Sequence, residues 1–420
     1  MKVELINTGS ELMLGRVLNT HQQWLCRRLA DLGYVVTRQV AVADTGHDIE
    51  QAVREALGRA DLVITTGGLG PTSDDITRDL VAQLLGKKLC EDAAALANIE
   101  RFFAFRKRPM PASTRVQALV PDDSIVLQNA HGTAPGLAME VKPNRFRADG
   151  KSSWLVMLSG PPRELRPMFS EQVVPLLQGE LPLADQFFCR TLRTTGIGES
   201  LVQEKINAPL ASLVEQGLEV GYCAHIGQVD VRLAARGQTG AARVSAGERI
   251  VRGLLAKYLF GEEDELLETV VVRLLTERRQ TLALAESCTG GGIAHRLTNV
   301  SGASAVLLAS LVTYSNAAKG KFLGVPAETL AEHGAVSEAT ARAMAEGARR
   351  ETGADFALSV TGIAGPTGGS EAKPVGTVFI ALASAQPTLV VKQFNPYDRE
   401  TFKQATANQA LEMLRRAILG

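Results

Sequence analysis

A serine and a lysine in the last third of the chain have the side chains of a hydrolytic pair. Ser287 stands where a predicted strand turns into a helix, and Thr289 and three glycines follow it. Such a turn exposes a hydroxyl group, and its backbone N–H groups can bind an oxyanion. Tyr314 and Lys319 come after the next predicted strand, and a buried Lys319 with a lowered pKa could accept the serine proton. The alternative is that Ser287 only caps the helix and Lys319 is solvated.

A glycine-rich loop after a later predicted strand adds uncharged donors. Thr361 begins it, and residues 362–369 (GIAGPTGG) offer backbone N–H groups and a hydroxyl that suit a phosphate or a carboxylate. Asp398 is expected to cap the last predicted helix, and Arg399 beside it is either a phosphate clamp or a surface charge. Cys288 has no histidine partner and is interpreted as a small buried residue.

The first third of the chain carries another loop that suits phosphate. A predicted strand at 61–66 leads into GGLGPT (67–72), which would place backbone N–H groups at the carboxyl edge of a parallel sheet. The spacing is neither that of a P-loop nor G-x-G-x-x-G. Asp74 and Asp75 follow, and carboxylate oxygens are the donors that a Mg²⁺-like ion prefers. The alternative is a tight turn in which Asp74 or Asp75 caps the next helix, which we place near residue 74.

Three further glycine-containing turns are candidates for the same sheet edge. They are Gly9 with Ser10 and Glu11, the segment 129–136 (NAHGTAPG) and the segment 159–164 (SGPPRE). Each alone is typical of an ordinary turn. Together at one edge, they would complete a ligand site.

The elements around these loops alternate between strands and helices, which predicts an α/β fold with helices on both faces of a parallel sheet. A linker-like stretch after residue 177 ends the first domain, and residues 187–260 read as a small α+β module. A second α/β pattern then surrounds the Ser287 turn. We therefore expect domains at 1–178, 179–260 and 261–420.

Composition excludes several classes of protein. The chain has 45 Lys+Arg and 45 Asp+Glu, so neither nucleic acid nor an anionic membrane is favoured as a partner. Its five cysteines and six histidines are scattered, which argues against a disulfide framework and against a histidine metal site. No window approaches the roughly 18 apolar residues of a membrane span. These features predict a cytoplasmic protein without a membrane segment.

The motifs, taken in order, resemble those of the CinA family over essentially the whole chain. They are TGSELMLGRVLNTH, TTGGLGPTSDDIT, NAHGTAPG, SGPPREL, AESCTGG, TYSNAAK, VTGIAGPTGG and KPVGTV. The resemblance implies a three-layer α/β domain of the MoaB/MogA molybdopterin-binding type, a KH-like α+β middle module and a C-terminal α/β amidohydrolase domain. It also implies a homodimer that acts on small nucleotides.

The resemblance implies that the C-terminal domain hydrolyses nicotinamide mononucleotide to nicotinate mononucleotide and ammonia, without a cofactor. Ser287 would be the nucleophile and Lys319 its base, with Tyr314 assisting proton transfer and Thr361 positioning the substrate. The substrate contacts would be Thr289, Gly290, Gly291, Gly362, Gly365 and, at the phosphate, Arg399.

For the N-terminal domain the resemblance implies a divalent-metal-dependent ADP-ribose pyrophosphatase that yields AMP and ribose 5-phosphate. Asp74 and Asp75 are our hypothesis for the metal ligands. The substrate contacts would be Gly67, Gly68, Gly70, Thr72, Ser10 and Glu11. The rival hypothesis is a regulatory protein that binds a nucleotide or a pterin without catalysis there. For the KH-like module, we expect residues 187–260 to lack the G-x-x-G loop with which KH folds clamp RNA.

Overall fold

The computed structural model describes all 420 residues, and these form two compact units, Met1–Phe188 and Cys189–Gly420. The first unit is built on one large sheet. The second contains two modules, each with its own sheet. No helix of the chain combines the length and the apolar surface needed to cross a bilayer.

A mixed six-stranded sheet forms the centre of the first unit. Its strands are β1 (Val3–Thr8), β2 (Val36–Val42), β3 (Leu62–Thr66), β6 (Ile125–Leu127), β7 (Gly136–Val141) and β8 (Ser153–Leu158), while β4 (Leu89–Glu91) and β5 (Leu119–Pro121) form a separate ribbon. The order is β2-β1-β3-β8-β7-β6. The first four strands are parallel, and β7 and β6 are antiparallel to their neighbours. The parallel part brings the ends of β1, β3 and β8 to one edge.

Helices cover both faces of this sheet, as the alternating pattern predicted. They are α1 (Ser10–Met13), α2 (Thr20–Asp31), α3 (Gly46–Leu57), α4 (Thr77–Leu85), α5 (Ala93–Phe105), α6 (Pro162–Met168) and α7 (Val174–Glu180). Successive strand residues point to opposite faces. Leu5 therefore packs in one core with Leu25 of α2, and Ile6 in another with Ile49 of α3. The predicted three-layer arrangement is confirmed, but the sheet is mixed and not parallel throughout, because β6–β7 and β7–β8 pair antiparallel.

The middle module is a four-stranded antiparallel sheet with two helices. Its elements are β9 (Phe187–Thr195), α8 (Glu199–Glu215), β10 (Glu219–His225), β11 (Gln228–Arg236), α9 (Gly240–Leu255) and β12 (Leu259–Glu262), with strand order β10-β11-β9-β12. This is the small α+β fold that the sequence predicted.

The expectation that this module lacks G-x-x-G spacing is wrong. Residues 237–240 read Gly-Gln-Thr-Gly, and they form the turn between β11 and α9. The Gly240 N–H donates to the Gly237 carbonyl at 2.9 Å, which closes the turn on itself. The argument against nucleic acid as a binding partner therefore depends on the neutral net charge alone.

The C-terminal module has a second mixed sheet between helices. Its strands are β13 (Leu282–Glu286), β14 (Leu307–Val312), β15 (Phe356–Gly362), β16 (Thr377–Ala383) and β17 (Leu389–Phe394), in the order β14-β13-β15-β16-β17. Its helices are α10 (Leu267–Arg278), α11 (Gly292–Thr298), α12 (Asn316–Leu323), α13 (Ala327–His333), α14 (Glu338–Thr352) and α15 (Arg399–Leu419). Leu284 faces the core beside α15, whereas Ala283 faces α14, where small side chains let the helix pack closely.

A polar contact joins the middle and C-terminal modules within the second unit. The Asn408 amide of α15 donates to the Ile226 carbonyl in the β10–β11 turn at 2.5 Å. Its oxygen accepts a 2.7 Å hydrogen bond from Arg296 of α11. Asn408 therefore links the β10–β11 turn of the middle module to α11 and α15 of the C-terminal module.

Candidate functional site

Ser287 lies at the end of β13, between the ends of β14 and β15. Its N–H donates to the Val360 carbonyl at 3.0 Å, and the Gly290 N–H donates back to the Ser287 carbonyl at 3.1 Å. Gly290 and Gly291 have φ angles of +62° and +90°, which side chains with a β-carbon rarely adopt. The two glycines allow the tight turn that leads from Ser287 into α11.

Lys319 lies directly beside Ser287. Its Nζ is 3.0 Å from Ser287 Oγ, 2.7 Å from the Thr313 carbonyl oxygen and 3.5 Å from that of Tyr314. The residue is only 1% exposed, so it is not solvated as the alternative interpretation held. Burial lowers the pKa of Lys319 from its ordinary value, and no carboxylate offsets that effect. A lysine in this setting can accept a proton from the serine.

Glu286 is a buried carboxylate that the sequence analysis did not select. Its Oε2 accepts hydrogen bonds from the Thr289 hydroxyl at 2.6 Å and the Ile293 N–H at 3.2 Å, and its Oε1 accepts from the Ala294 N–H at 2.9 Å. It therefore fixes the Ser287 turn to the first turn of α11. The signal was present, because Glu286 directly precedes Ser287 in the motif AESCTGG.

The remaining predicted residues surround this pair. Arg399 donates to the Tyr314 hydroxyl at 2.7 Å and to the Gly365 carbonyl at 3.0 Å, which ties together three segments that are far apart in sequence. Thr361 is buried and donates to the Ala335 carbonyl at 2.7 Å, so its oxygen can only accept from a ligand. The hydroxyl group of Tyr314 contacts Arg399 and not Lys319. The atom of Tyr314 that approaches Lys319 is the backbone carbonyl oxygen.

Gly362 occupies a crowded position at the end of β15. A β-carbon built there would lie 2.8 Å from the Thr377 carbonyl oxygen. A larger residue would push the 362–369 loop away from its neighbouring strand.

Cys288 is buried beside the nucleophile but is not a competing one. Burial raises the pKa of the Cys288 thiol to about 12, so it stays protonated near neutral pH. The backbone N–H groups of Cys288 and Thr289 act on the thiol in the opposite direction and lower its pKa, but by less than burial raises it. Because sulfur is a weak acceptor, a substrate oxygen could recruit these donors.

A second cavity, of about 370 Å³, opens at the predicted sheet edge of the first unit. Gly67 and Gly68 line it with φ angles of +100° and +68°, and a β-carbon on Gly68 would lie 2.0 Å from Thr77 Oγ1. Gly70 packs as closely on Asp75, where a β-carbon would lie 2.2 Å from Oδ2. The loop can therefore follow this path only with glycine at these positions.

Asp75 shapes the end of this loop. Its Oδ2 accepts hydrogen bonds from the Thr72 N–H at 3.0 Å and the Thr72 hydroxyl at 2.5 Å. The following helix, α4, therefore begins at Thr77 and not near Asp74. Asp74 and Asp75 line the cavity, whereas Thr72 does not; it instead holds Asp75 in place.

The turns after β1 and β2 each contribute a carboxylate to the same cavity. The Ser10 N–H donates to Asp44 Oδ2 at 2.7 Å, and the Asp44 N–H donates to Ser10 Oγ at 3.1 Å. Glu11 and Asp44 line the cavity, whereas Ser10 does not. Ser10 instead binds Asp44 through these two hydrogen bonds. Asp44 was missed because it follows a strand without a glycine-rich motif.

Glu164, from the predicted turn at 159–164, is the most buried carboxyl group of this cavity. It is 8% exposed, and its Oε2 accepts a 2.8 Å hydrogen bond from the Asn129 amide. A β-carbon on Gly132 would lie 2.3 Å from the Glu164 carboxyl carbon, so the NAHGTAPG loop needs glycine there. Burial raises the pKa of Glu164. Gln117, also buried, lines the cavity with an Oε1 that has no hydrogen-bond partner.

The lining of this cavity is acidic. Five carboxylates line it, from Glu11, Asp44, Asp74, Asp75 and Glu164, and no lysine, arginine or histidine does. Carboxylate oxygens suit a hard divalent cation, so Asp74 and Asp75 fit such an ion in their donor chemistry. No three His, Cys, Asp or Glu side chains of the chain form a metal-binding group. A cation here would need the phosphate oxygens of a substrate as further ligands.

The two units and their sites define a protein of three successive family modules. The "Probable molybdopterin binding domain" matches residues 4–179, the "Damage-inducible protein CinA KH domain" 189–261, and the "CinA C-terminal domain" 264–418.

Similarity to known proteins extends over the whole chain. A competence-damage inducible protein of Desulforudis audaxviator is 45% identical over 419 residues, 99% of this chain and 98% of the relative. A CinA-like protein of Akkermansia muciniphila is 43% identical over 412 residues, 98% of this chain and 96% of the relative. The crystal structure of a competence/damage inducible protein from Agrobacterium tumefaciens is 44% identical, covers 37% of this chain and 94% of its own, and has a TM-score of 0.36. This chain belongs to the CinA family.

Proposed function

We propose that the C-terminal module hydrolyses the carboxamide of nicotinamide mononucleotide to give nicotinate mononucleotide and ammonia. The observation that supports this is the 3.0 Å approach of the buried Lys319 Nζ to Ser287 Oγ. A serine hydroxyl is a weak nucleophile until a neighbouring base removes its proton. Lys319, with its pKa lowered by burial, is the base at hand.

In the proposed reaction, neutral Lys319 takes the proton of Ser287 while Oγ attacks the carboxamide carbon. The N–H groups of Cys288 and Thr289 receive the oxyanion of the tetrahedral intermediate. Lys319 then gives its proton to the amide nitrogen, and ammonia leaves from an acyl-enzyme ester. A water molecule attacks the ester with Lys319 again as base, which releases nicotinate mononucleotide and restores Ser287. Nucleophile, base and oxyanion donors all come from the chain, so no cofactor is needed.

The test is the release of ammonia and nicotinate mononucleotide by the full-length protein without added metal. Ser287→Ala is expected to lower kcat by at least about 1,000-fold. Ser310→Ala, at an exposed serine of β14, is the matched control and should leave kcat unchanged. Far-ultraviolet circular dichroism verifies that each variant folds. Equal turnover by Ser287→Ala and the native protein would refute the serine mechanism.

For the N-terminal domain we propose divalent-metal-dependent hydrolysis of ADP-ribose to AMP and ribose 5-phosphate. The supporting observation is a cavity that combines glycine-loop N–H groups with carboxylates and lacks a basic side chain. A pyrophosphate entering such a cavity needs positive charge from elsewhere, which a divalent ion held by Asp74 and Asp75 would supply. The Gly67–Gly70 loop would bind the remaining phosphate oxygens through its backbone.

The rival for this domain is binding of a nucleotide or a pterin without catalysis. Turnover of ADP-ribose with Mg²⁺, its loss in EDTA and its reduction in Asp74→Asn would support the pyrophosphatase. Saturable binding of ADP-ribose without AMP release, across a series of divalent metals, would favour the regulatory role. Both outcomes are read from one chromatographic assay of AMP and one binding titration.

A further inference from the structure

A cationic cavity of about 440 Å³ lies next to the Ser287 turn. Four of its lining residues carry basic side chains, namely His295 and Arg296 of α11 and Arg399 and Lys403 of α15. Glu400 is its one acidic lining residue, and its carboxylate accepts a hydrogen bond from Gln404 at 3.4 Å. This cationic lining contrasts with the acidic cavity of the first unit.

Lys403 is the cation of this cavity that is free to meet a ligand. A β-carbon built on Gly290 would lie 3.8 Å from Lys403 Nζ, so the ammonium group stands against the turn that carries Ser287. No hydrogen bond or ion pair within the protein uses the Lys403 ammonium group. Lys403 is one helical turn beyond Arg399, so both side chains lie on the same face of α15.

The other two permanent cations already have partners. Arg296 donates to Glu268 at 2.6 Å and to Asn408 at 2.7 Å, so a carboxylate neutralises it. Arg399 donates to the Tyr314 hydroxyl and the Gly365 carbonyl, which are uncharged, and therefore keeps its positive charge while its geometry is fixed. Lys403 is thus an unpaired cation beside Arg399, whose guanidinium group is held by hydrogen bonds.

We propose that Lys403 recognises the phosphate monoester of the substrate bound at Ser287, with Arg399 adding charge and His295 adding a hydrogen-bond donor. This inference rests on the proposed amidase function. An ammonium group without a carboxylate partner, beside the turn that carries Ser287, suits a compact dianion. The subsite would make the enzyme select a nucleotide over the corresponding nucleoside.

The experiment compares nicotinamide mononucleotide with nicotinamide riboside, which lacks the phosphate, as substrates of the full-length protein. Lys403→Met removes the charge and keeps most of the side-chain volume. It is expected to lower kcat/KM for the mononucleotide by about 10- to 100-fold, mainly through KM, and to leave the riboside unchanged. Lys403→Arg should restore most of the loss. Lys392→Met, at an exposed lysine of β17, should affect neither substrate.

An equal loss for both substrates in Lys403→Met, or a loss for neither, would overturn the phosphate assignment while leaving the amidase in place. Calorimetric titration with ribose 5-phosphate decides the question independently of turnover. If the native protein hydrolysed neither substrate but Lys403→Met weakened ribose 5-phosphate binding at least 10-fold, the amidase would fail and the subsite would stand. No binding by the native protein, or unchanged affinity in Lys403→Met, would overturn the subsite.

Discussion

Lys319 Nζ and Ser287 Oγ lie 3.0 Å apart. The acceptors of the Lys319 hydrogen bonds are this hydroxyl group and two carbonyl oxygens, and none of them is a carboxylate. An ammonium group that is buried in this way loses hydration without gaining an ion pair. The only titratable group that acts noticeably on it is Cys288, whose effect is smaller than that of burial. The charged form of Lys319 is therefore disfavoured in the folded protein.

This environment predicts the pH dependence of amide hydrolysis. Because burial lowers the pKa of Lys319 below the ordinary 10.5, the neutral amine becomes populated at a lower pH than for a solvated lysine. We expect kcat/KM for nicotinamide mononucleotide to rise with pH and to level off below pH 10.5. Lys319→Arg keeps the charge permanently and should lower kcat by about 100- to 10,000-fold at every pH. A rate that stays flat from pH 5 to 10 in the native protein would exclude Lys319 as the base.

The hydrogen bonds of Glu286 predict a second effect, on both stability and activity. Replacing Glu286 by Gln turns one acceptor into an NH₂ group that faces backbone donors of α11. We expect the free energy of unfolding to fall by about 1–3 kcal/mol and kcat to fall at least about 10-fold, since the turn that holds Ser287 loosens. Urea unfolding and the ammonia assay measure the two effects. The exposed Glu277→Gln on α10 is the control and should change stability by less than about 0.5 kcal/mol.

The close packing of Gly68 predicts a third effect, in the N-terminal domain. Gly68→Ala combines a φ of +68° with a β-carbon 2.0 Å from Thr77 Oγ1. We expect a loss of about 2–4 kcal/mol in stability and of most ADP-ribose binding. Gly86→Ala is a matched control, because Gly86 has a φ of +69° but no atom within 4 Å of the added carbon. It should cost only about 1–2 kcal/mol and leave binding intact. Equal behaviour of the two variants would mean that the φ angle alone matters.

The sequence predicted the parts of each site that local patterns encode. The turn after β13 was recognisable from a strand followed by Ser287 and glycines, and the Gly67–Gly70 loop from the same kind of pattern. Features that no local pattern marks were missed. Asp44 enters the N-terminal cavity from the turn after β2, and whether Asp74 begins a helix depended on the hydrogen bonds of Asp75.

Long-range contacts were equally invisible in the sequence. Asn408 donates a hydrogen bond to the Ile226 carbonyl, 182 positions away in the sequence. Nothing in the residues around Asn408 or around Ile226 predicts this contact. Arg399 was expected either to hold a phosphate or to be a surface charge. Its contacts to Tyr314 and Gly365 add a third role, since the fold of β14 and β15 brings those segments to the start of α15.

Glu164 provides the last prediction, in which stability and function oppose each other. Burial raises the pKa of its carboxyl group above the ordinary 4.5, and the hydrogen bond from Asn129 only partly offsets this. Because the pKa of Glu164 is higher in the folded than in the unfolded protein, its protonated carboxyl group stabilises the fold at a pH below 4.5. This contribution is lost as the pH rises through the folded-state pKa. At pH 8 the ionised, buried carboxylate therefore costs stability. An amide at this position would not ionise, and its oxygen could still accept from Asn129.

We therefore expect Glu164→Gln to raise the melting temperature at pH 8 by about 2–4 °C and to leave it nearly unchanged at pH 4. The same change should lower ADP-ribose hydrolysis at least about 10-fold, because a buried carboxylate that lines the cavity is lost from the site. Differential scanning calorimetry at the two pH values and the AMP assay measure these effects. Glu171→Gln, at an exposed glutamate nearby in sequence, controls for the loss of one negative charge. If Glu164→Gln lowered the melting temperature equally at both pH values, Glu164 would be a structural acceptor, and the carboxylates that serve the substrate would have to be sought among Asp44, Asp74 and Asp75.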